Sequence, residues 1–236
     1  MKTWVTASGY NIIRVVTGRS NAFLLTGKES IILVDTSSPS MWKILRKRLN
    51  QLNINIIDYL ILTHSHFDHA GNSCRIKELY KPQVIIHQSE AGFLTAGENI
   101  IPSGTGPVTK TIVRLFAKQF LALIKYKSCR CDITVGSSFD LSIAGYNAYI
   151  MHTPGHTMGS VSIIIDNEIA LVGDTMFGLF NRTIYPPYAN YPFQLLESWG
   201  KLLRTNCRFF IPSHGSAISR TTAEREYNKH RKVNCH

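Results

Sequence analysis

Three histidines and one aspartate lie within six residues of this sequence, directly after an apolar run. They are His64, His66, Asp68 and His69, in the segment His-Ser-His-Phe-Asp-His. Neutral imidazole and carboxylate are good ligands for a borderline divalent metal, above all Zn²⁺. Alternate spacing puts His64 and His66 on one side of an extended loop, while Asp68 and His69 can turn towards a neighbouring point. One ion cannot readily bind all four side chains and keep an open position, so we expect two adjacent ions.

Three further candidate ligands each follow an apolar segment later in the chain. His156 lies in Thr-Pro-Gly-His-Thr, Asp174 follows Leu-Val-Gly, and His214 follows Phe-Ile-Pro-Ser. Glycine and proline favour tight turns, and such turns can present a side chain at the edge of a sheet. Each residue alone would be an ordinary turn, cap or surface residue. Together with the six-residue cluster, we interpret the three as the remaining metal ligands.

The elements that must position these residues alternate along the chain. Short β-branched or continuous apolar runs predict strands at 11–16, 21–26, 30–35, 56–63, 83–87, 148–152, 161–165, 169–173 and 208–211. Amphipathic patterns predict helices at about 41–49, 70–80 and 192–204. Strand-rich segments that alternate with helices indicate a layered α/β protein with helices covering the sheet faces.

Composition narrows the class of protein further. The chain has 236 residues, of which 44% are hydrophobic and 17% charged, and this excludes disorder throughout. No apolar run approaches the roughly 18–20 residues that a membrane span needs. Five cysteines, an odd number, without a secretory signal indicate free thiols in a reducing compartment, so we expect a cytoplasmic protein. The net charge of +11 favours anionic partners, which include acidic small molecules, nucleic acid and lipid headgroups.

The segment 99–130 differs from the rest of the chain because it has six basic residues and no acidic one. Lys110, Arg114, Lys118 and Lys125 share one side of a helical wheel whose remainder is apolar. Two interpretations stay open. The segment is either an ordinary surface helix with a solvated basic stripe, or a lid or surface that contacts anions or a membrane.

Taken as a set, the motifs resemble those of the metallo-β-lactamase superfamily of hydrolases. They are His-x-His-x-Asp-His after a strand, Thr-Pro-Gly-His-Thr, Gly-Asp-Thr and Pro-Ser-His-Gly, within a match from about residue 21 to 215. The resemblance implies an α/β fold, a four-layer αββα sandwich of two mixed β-sheets flanked by helices. It also implies one domain over 1–236, with a basic helical insertion at about 99–130.

The resemblance further implies how the ligands divide between two zinc ions. Each ion would have three ligands of its own and share a bridge: His64, His66 and His156 for the first, Asp68, His69 and His214 for the second, and Asp174 between them.

Glyoxalase II-type thioesterases share these motifs, and acyl-homoserine lactonases resemble the chain in size and ligands, so we expect a glyoxalase II-like or lactonase-like relative, although the chain departs from each known branch. The commonest β-lactamases have a cysteine where this chain has Asp174, and diiron relatives have a glutamate at His66, which favours zinc although iron or manganese is possible. Glyoxalase II enzymes have a long C-terminal helical region, whereas only 22 residues follow His214. Acyl-homoserine lactonases have a tyrosine where this chain has Phe177.

The sequence therefore predicts a binuclear zinc hydrolase that cleaves an ester, thioester or lactone bond of a small anionic substrate. Asp174 and a hydroxide would bridge the ions, and Asp68 would be catalytic, orienting the hydroxide and carrying its proton to the leaving group. Lys110 and Arg114, with Phe177 and Tyr188 from the segment after Asp174, are candidate substrate contacts.

Two other functions stay open on the same scaffold. One is a phosphodiesterase acting on nucleic acid or a small molecule, which the positive charge permits but the absence of interleaved aromatics on the basic helix disfavours. The other is a non-catalytic metal or anion sensor, which the open, bimetallic ligand set disfavours. The sequence also leaves a homodimer possible.

Overall fold

The computed structural model describes residues 1–179 and 183–233, with side chains except at 116–123 and 233. Thirteen strands form two mixed sheets. The first sheet has the order β1-β2-β3-β4-β5-β6-β7, with bounds Thr3–Val5, Asn11–Val16, Ala22–Thr26, Ile32–Val34, Tyr59–Ile61, Gln83–His87 and Ile133–Val135. The second has the order β13-β12-β11-β10-β9-β8, and β8 to β13 span Ser138–Asp140, Ala148–His152, Val161–Ile165, Ile169–Gly173, Phe209–Pro212 and Ile218–Ser219.

Each sheet combines antiparallel and parallel pairs. Strands β1 to β4 are antiparallel, whereas β4 to β7 run parallel to one another. In the second sheet β11 and β12 are parallel, and the other neighbours are antiparallel. Strands β10 and β11 are buried along their whole length, as their continuous apolar sequences predict.

Seven helices flank the sheets in the described part of the chain. They are α1 Trp42–Gln51, α2 Phe67–Ala70, α3 Ser73–Tyr80, α4 Gln88–Ala96, α5 Pro107–Leu123, α6 Pro192–Leu203 and α7 Arg220–Val233. None of the helices among these described residues is long and apolar enough to span a bilayer.

Three apolar clusters separate four layers. The central cluster joins the facing sides of the two sheets, for example Phe23 and Ile163. A second cluster packs α1 against the outer face of the first sheet through Leu45 and Leu49. A third packs α6 against the outer face of the second sheet, where Trp199 is fully buried. The predicted αββα sandwich of two mixed sheets is therefore confirmed.

Some predicted boundaries differ from the structure. The strand expected at 56–63 is only Tyr59–Ile61. The helix expected at 70–80 is two helices, α2 and α3, separated at Gly71 and Asn72. The break has a tertiary cause, because the Asn72 amide donates to the carbonyl oxygens of Thr36 and Ser38 at 2.9 and 2.8 Å. A Cβ on Gly71 would lie 2.5 Å from Pro39, so this turn packs directly against the preceding loop.

The C-terminal segment also differs from expectation. The sequence pattern predicts no helix after residue 204, yet α7 packs on α6 with Ala223 and Glu226 buried. Arg220 anchors its start by donating to the carbonyl oxygens of Leu203 and Thr205. The helix was missed because its mean hydropathy is low and its burial comes from contacts distant in sequence.

The basic segment forms α5, with Lys110 and Arg114 on its exposed surface. Lys125 lies beyond the end of the helix at Leu123, so it does not extend the helical stripe. The Lys118 side chain lies outside the described part of the structure.

Candidate metal centre

All the predicted ligands lie just after the C-terminal ends of strands. His64 to His69 follow β5, His156 follows β9, Asp174 follows β11 directly, and His214 follows β12. Gly155 fixes the loop before His156, because it has φ +143° and an added Cβ would lie 2.4 Å from the Leu195 backbone. The four segments meet at one edge of the sandwich, between the two sheets.

The structure brings all seven predicted ligands together. Their donor atoms form three overlapping groups, within each of which the atoms lie within 4.8 Å of one another: His64, His66 and His156; His64, His69 and Asp174; Asp68, His69 and His214. The first and third groups correspond to the two predicted ion sites. Asp174 lies between them, with carboxylate oxygens 3.5 Å from the ring nitrogens of His69 and His156 and 3.4 Å from that of His214.

Three of the histidines are held by hydrogen bonds on the side of the ring that faces away from the cluster. The Nδ1 of His69 donates to Asp35 at 2.8 Å, and the Nδ1 of His156 donates to the carbonyl oxygen of Tyr188 at 2.9 Å. The Nδ1 of His64 lies 3.1 Å from the Thr63 hydroxyl. Such contacts fix the ring orientation, and they direct Nε2 towards the cluster, where it can bind a metal.

Asp35 is a buried carboxylate beside the cluster, and the sequence pattern predicts it only as the end of a strand. Its buried carboxylate accepts hydrogen bonds from the Thr63 amide, the Thr63 hydroxyl and His69, each at 2.8 Å, and from the Ser213 hydroxyl at 3.2 Å. It therefore joins the His64–His69 loop to the loop that carries His214. Its position immediately after an apolar strand, like that of Asp174, was the available sequence signal.

Glu90 is a second residue that the sequence analysis missed. It is fully buried in the first turn of α4, and it accepts hydrogen bonds from the backbone amides of Ser65 and Gly159 at 3.0 and 3.1 Å. The Ser65 hydroxyl also donates to it, and the Tyr126 hydroxyl donates to the Ser65 carbonyl oxygen at 2.6 Å. One carboxylate thus fixes the backbone between His64 and His66 to the loop after His156.

Burial and neighbouring charges set the protonation states of the candidate ligands, and they hold His66 and Asp68 in the forms that bind a metal. Burial lowers the pKa of His66 to about 3, and the adjacent His156 contributes in the same direction. Burial alone would raise the pKa of Asp68, but His69 and His214 outweigh it and lower that pKa to about 2. At neutral pH the first of these side chains is a neutral imidazole and the second is a carboxylate, which are the forms that bind a divalent metal. For His69 and His214 burial alone would lower the pKa, but Asp174 outweighs it; the pKa of His214 rises to about 9 and that of His69 well above its ordinary value. A bound cation would therefore replace a proton on each of these two imidazoles.

The polar atoms at the centre of the cluster fit a metal. Within the described cluster, His66 Nε2, His69 Nε2 and Asp174 Oδ1 are buried without a hydrogen-bond partner. Ring nitrogens of His64 and His156 each lie 3.0 Å from Nδ1 of His66, so three lone-pair donors converge on one point. Burial of polar groups without partners costs free energy. A cation coordinated at this point would bind these atoms and the converging lone pairs together.

A cavity of about 450 Å³ opens onto this cluster. Of the four predicted substrate contacts, Phe177 and Tyr188 line the cavity, and the Phe177 ring stacks on His214 with centroids 4.7 Å apart. Lys110 and Arg114 are exposed and outside the cavity lining, so their contact with substrate stays a prediction. Among the described side chains of α5, those that line the cavity are the apolar Ile112 and Val113.

Comparison with known proteins shows the family. Residues 15–214 match the family model described as the metallo-beta-lactamase superfamily. A probable metallo-hydrolase of Methanocaldococcus jannaschii is 32% identical over 158 residues, which are 67% of this chain and 68% of the relative. The chain therefore belongs to the metallo-β-lactamase superfamily.

Other relatives agree with this assignment. A hydroxyacylglutathione hydrolase of Pelagibacter ubique is 28% identical over 60% of this chain, but the match spans only 45% of that relative. Among solved structures, a metallo-β-lactamase variant from Cronobacter sakazakii has a TM-score of 0.69 at 17% identity, covering 99% of this chain and 95% of that one. An archaeal superfamily member from Sulfolobus tokodaii has a TM-score of 0.63 at 20% identity, covering 89% and 79%. At these identities the two structures show the shared fold.

The family, the metallo-hydrolase relatives and the residues that can bind metal together define the class of protein. The chain is a metal-dependent hydrolase of the metallo-β-lactamase superfamily.

Proposed function

We propose that the chain binds two Zn²⁺ ions and hydrolyses an ester, thioester or lactone bond in a small anionic substrate. The observation that supports the proposal is the convergence of seven candidate ligand side chains, in three overlapping groups, beside a cavity of about 450 Å³. Nitrogen and oxygen ligands of this kind suit zinc, and a cavity of this size suits a small molecule.

The proposed ligand assignment is the one that the family resemblance implies, and the first and third of the three groups of donor atoms support it. The first ion would be held by His64, His66 and His156, the second by Asp68, His69 and His214, and Asp174 would contact both. When bound, the ions supply a Lewis acid for the substrate oxygen and make a coordinated water acidic near neutral pH.

The chain's own residues supply orientation and proton transfer. Asp68 lines the cavity and is ionised at neutral pH, so its carboxylate can accept a hydrogen bond from the attacking water and hold it in position. We propose that the same carboxylate passes the water's proton to the leaving group. Arg19 lines the cavity mouth, with its guanidinium 5.4 Å from the Phe67 ring centroid, and provides a cation for an anionic group of the substrate.

The test combines metal content and turnover on one purified sample. Mass spectrometry should find two zinc ions per chain, and turnover should appear in a panel of esters, thioesters and lactones. His66→Ala should lose both metal and turnover. His152→Ala is the matched control, because the His152 ring stacks on His87 at 4.1 Å and belongs to none of the ligand groups.

The same panel separates the alternatives. Turnover confined to phosphodiesters would replace the proposal with a phosphodiesterase. Metal binding without turnover of any substrate would indicate a non-catalytic metal or anion sensor. Full activity of His66→Ala with unchanged metal content would show that the ligand assignment is wrong.

We also propose a cytoplasmic location, which the four free cysteines among the described residues support. Fractionation of the native cells tests it, and light scattering tests the homodimer that the sequence leaves possible.

A further inference from the structure

We propose that the cavity beside the metal centre binds an apolar acyl chain, so that the substrate is an acyl ester, thioester or lactone whose hydrocarbon part lies against α5. This inference rests on the proposed function, because it names the substrate class of the same site. Its evidence is separate, and comes from the side chains that line the cavity away from the ligands.

The cavity lining divides into two parts. The ligand side supplies His66, Asp68, His156, Asp174 and His214. The rest of the lining comprises Arg19, Phe67, Asn99, Tyr188 and a set of apolar residues that we refer to as the apolar wall: Ile100, Ile101, Pro102, Ile112, Val113, Ile124, Phe177, Leu179 and Pro187. Arg19 is the cation among the described lining residues, and it lies at the exposed rim. A reacting carbonyl placed at the ligands would therefore direct its acyl group along hydrocarbon.

Hydrogen bonds attach the apolar wall to the metal-binding segments. The Asn99 side chain accepts from the Phe67 amide at the start of α2 and donates to the carbonyl oxygen of Ile124 at the other end of the α5 segment. The Thr105 amide donates to the carbonyl oxygen of Pro187 at 3.0 Å. Hydrogen bonds therefore join the residues before and after α5 to the segments around the metal centre, so the apolar wall is attached to the site.

The wall is incompletely covered by protein. Ile101, Ile112 and Leu179 are 39%, 37% and 54% exposed, although each is a large aliphatic residue lining the cavity. Contiguous exposed apolar surface of this kind marks a ligand-binding site when it borders a reactive centre. Burial of a hydrocarbon chain would remove this surface from water, which is favourable.

Binding of alkyl hydroxamates to the zinc-loaded protein tests the inference without requiring turnover. A hydroxamate headgroup binds metal, and the series from acetyl to octanoyl changes only the hydrocarbon. We expect the dissociation constant in calorimetry to fall about twofold to fourfold per added methylene, the upper value corresponding to full burial. The heat capacity of binding should also become more negative with chain length.

Two variants and one control test whether the apolar wall causes the dependence of affinity on chain length. Val113→Trp fills the cavity and should remove the gain beyond the butyryl chain, while acetohydroxamate still binds. If Val113→Trp does not fold, Ile112→Asp serves in its place, because Ile112 is partly exposed and tolerates a charge. We expect this variant also to abolish the dependence of the dissociation constant on chain length. Val108→Trp is the control, because Val108 lies on the same helix, is 72% exposed and is outside the cavity lining.

The outcomes separate this inference from the proposed function. A flat chain-length series, or equal effects of Val108→Trp and Val113→Trp, would overturn the acyl site. Length-dependent hydroxamate binding without hydrolysis of any matching p-nitrophenyl ester, thioester or lactone would support the acyl site and contradict the hydrolytic function alone.

Discussion

Replacing Asp35 with asparagine removes one negative charge and almost no volume from beneath the metal centre. The carboxylate receives four hydrogen bonds, from the Thr63 amide and hydroxyl, His69 and Ser213, and all four partners donate to it. An amide has only one oxygen, so at least one buried donor would face an NH₂ group. We therefore expect Asp35→Asn to disturb the orientation of His69 as well as the stability of the fold.

The magnitude follows from these contacts. Each hydrogen bond to a charged group contributes about 1.5–3 kcal/mol, and one unsatisfied buried donor costs about 1–3 kcal/mol. The loss of one bond and the weakening of the others together predict a decrease of about 3–5 kcal/mol in the free energy of unfolding. For a chain of this size that corresponds to a fall in Tm on the order of 10 °C. Zinc affinity should fall about 10–100-fold, as is typical when a partner of a ligand is lost.

Thermal unfolding of the metal-free protein measures the first effect, and zinc competition against a chromophoric chelator measures the second. Asp58→Asn is the control, because Asp58 accepts a hydrogen bond from the Ile31 amide at 2.7 Å at the opposite end of the same strands. The reasoning is refuted if Asp35→Asn and Asp58→Asn have the same Tm and the same zinc affinity.

For four other changes the structure predicts whether stability or zinc affinity rises or falls. Removal of metal with a chelator should lower the Tm, because ions that bind only the folded state stabilise it, and re-addition of zinc should restore it; an unchanged Tm would argue against a metal site. Glu90→Gln should weaken zinc binding about tenfold in a chelator competition, because a glutamine cannot accept hydrogen bonds with two oxygens from both Ser65 and the loop after His156. Gly155→Ala should unfold at a clearly lower temperature in calorimetry, whereas Gly136→Ala, with nothing within 4 Å of the added Cβ, should not. Burial lowers the pKa of His87 below its ordinary value near 6.5, so the unfolded chain binds the proton more readily and the free energy of unfolding should fall as pH decreases through that value. His87→Asn should reduce this pH dependence in urea titrations at pH 5.5 and 7.5, and an identical slope would contradict the assignment.

The candidate ligands could be identified from the sequence because their signals are local. His64, His66, Asp68 and His69 occupy six residues, and the other three ligands follow apolar strands with glycine or proline beside them. The order of strands and helices, together with the family resemblance, was sufficient for the layered α/β fold. Long continuous apolar runs, such as those of β10 and β11, were the easiest elements to recognise because they are buried on both faces.

The residues that position the candidate ligands could not be predicted in the same way, because their contacts join segments that are distant in sequence. Asp35 bonds to a histidine 34 positions later, and Glu90 bonds to backbone amides 25 positions before it and 69 positions after it. Neither residue belongs to a local motif. The basic stripe of α5 was prominent in the sequence, yet the helix lines the cavity with Ile112 and Val113.

The sequence by itself determined the residue types that can bind metal and the strand ends that present them, since both depend on short-range spacing and turn chemistry. Only the tertiary structure decided which buried carboxylates orient those ligands and which face of α5 lines the cavity. The physical reason is that side-chain contacts between segments depend on how the two sheets and their helices pack. Helical periodicity identifies the two faces of a helix, but it does not determine which partner each face contacts.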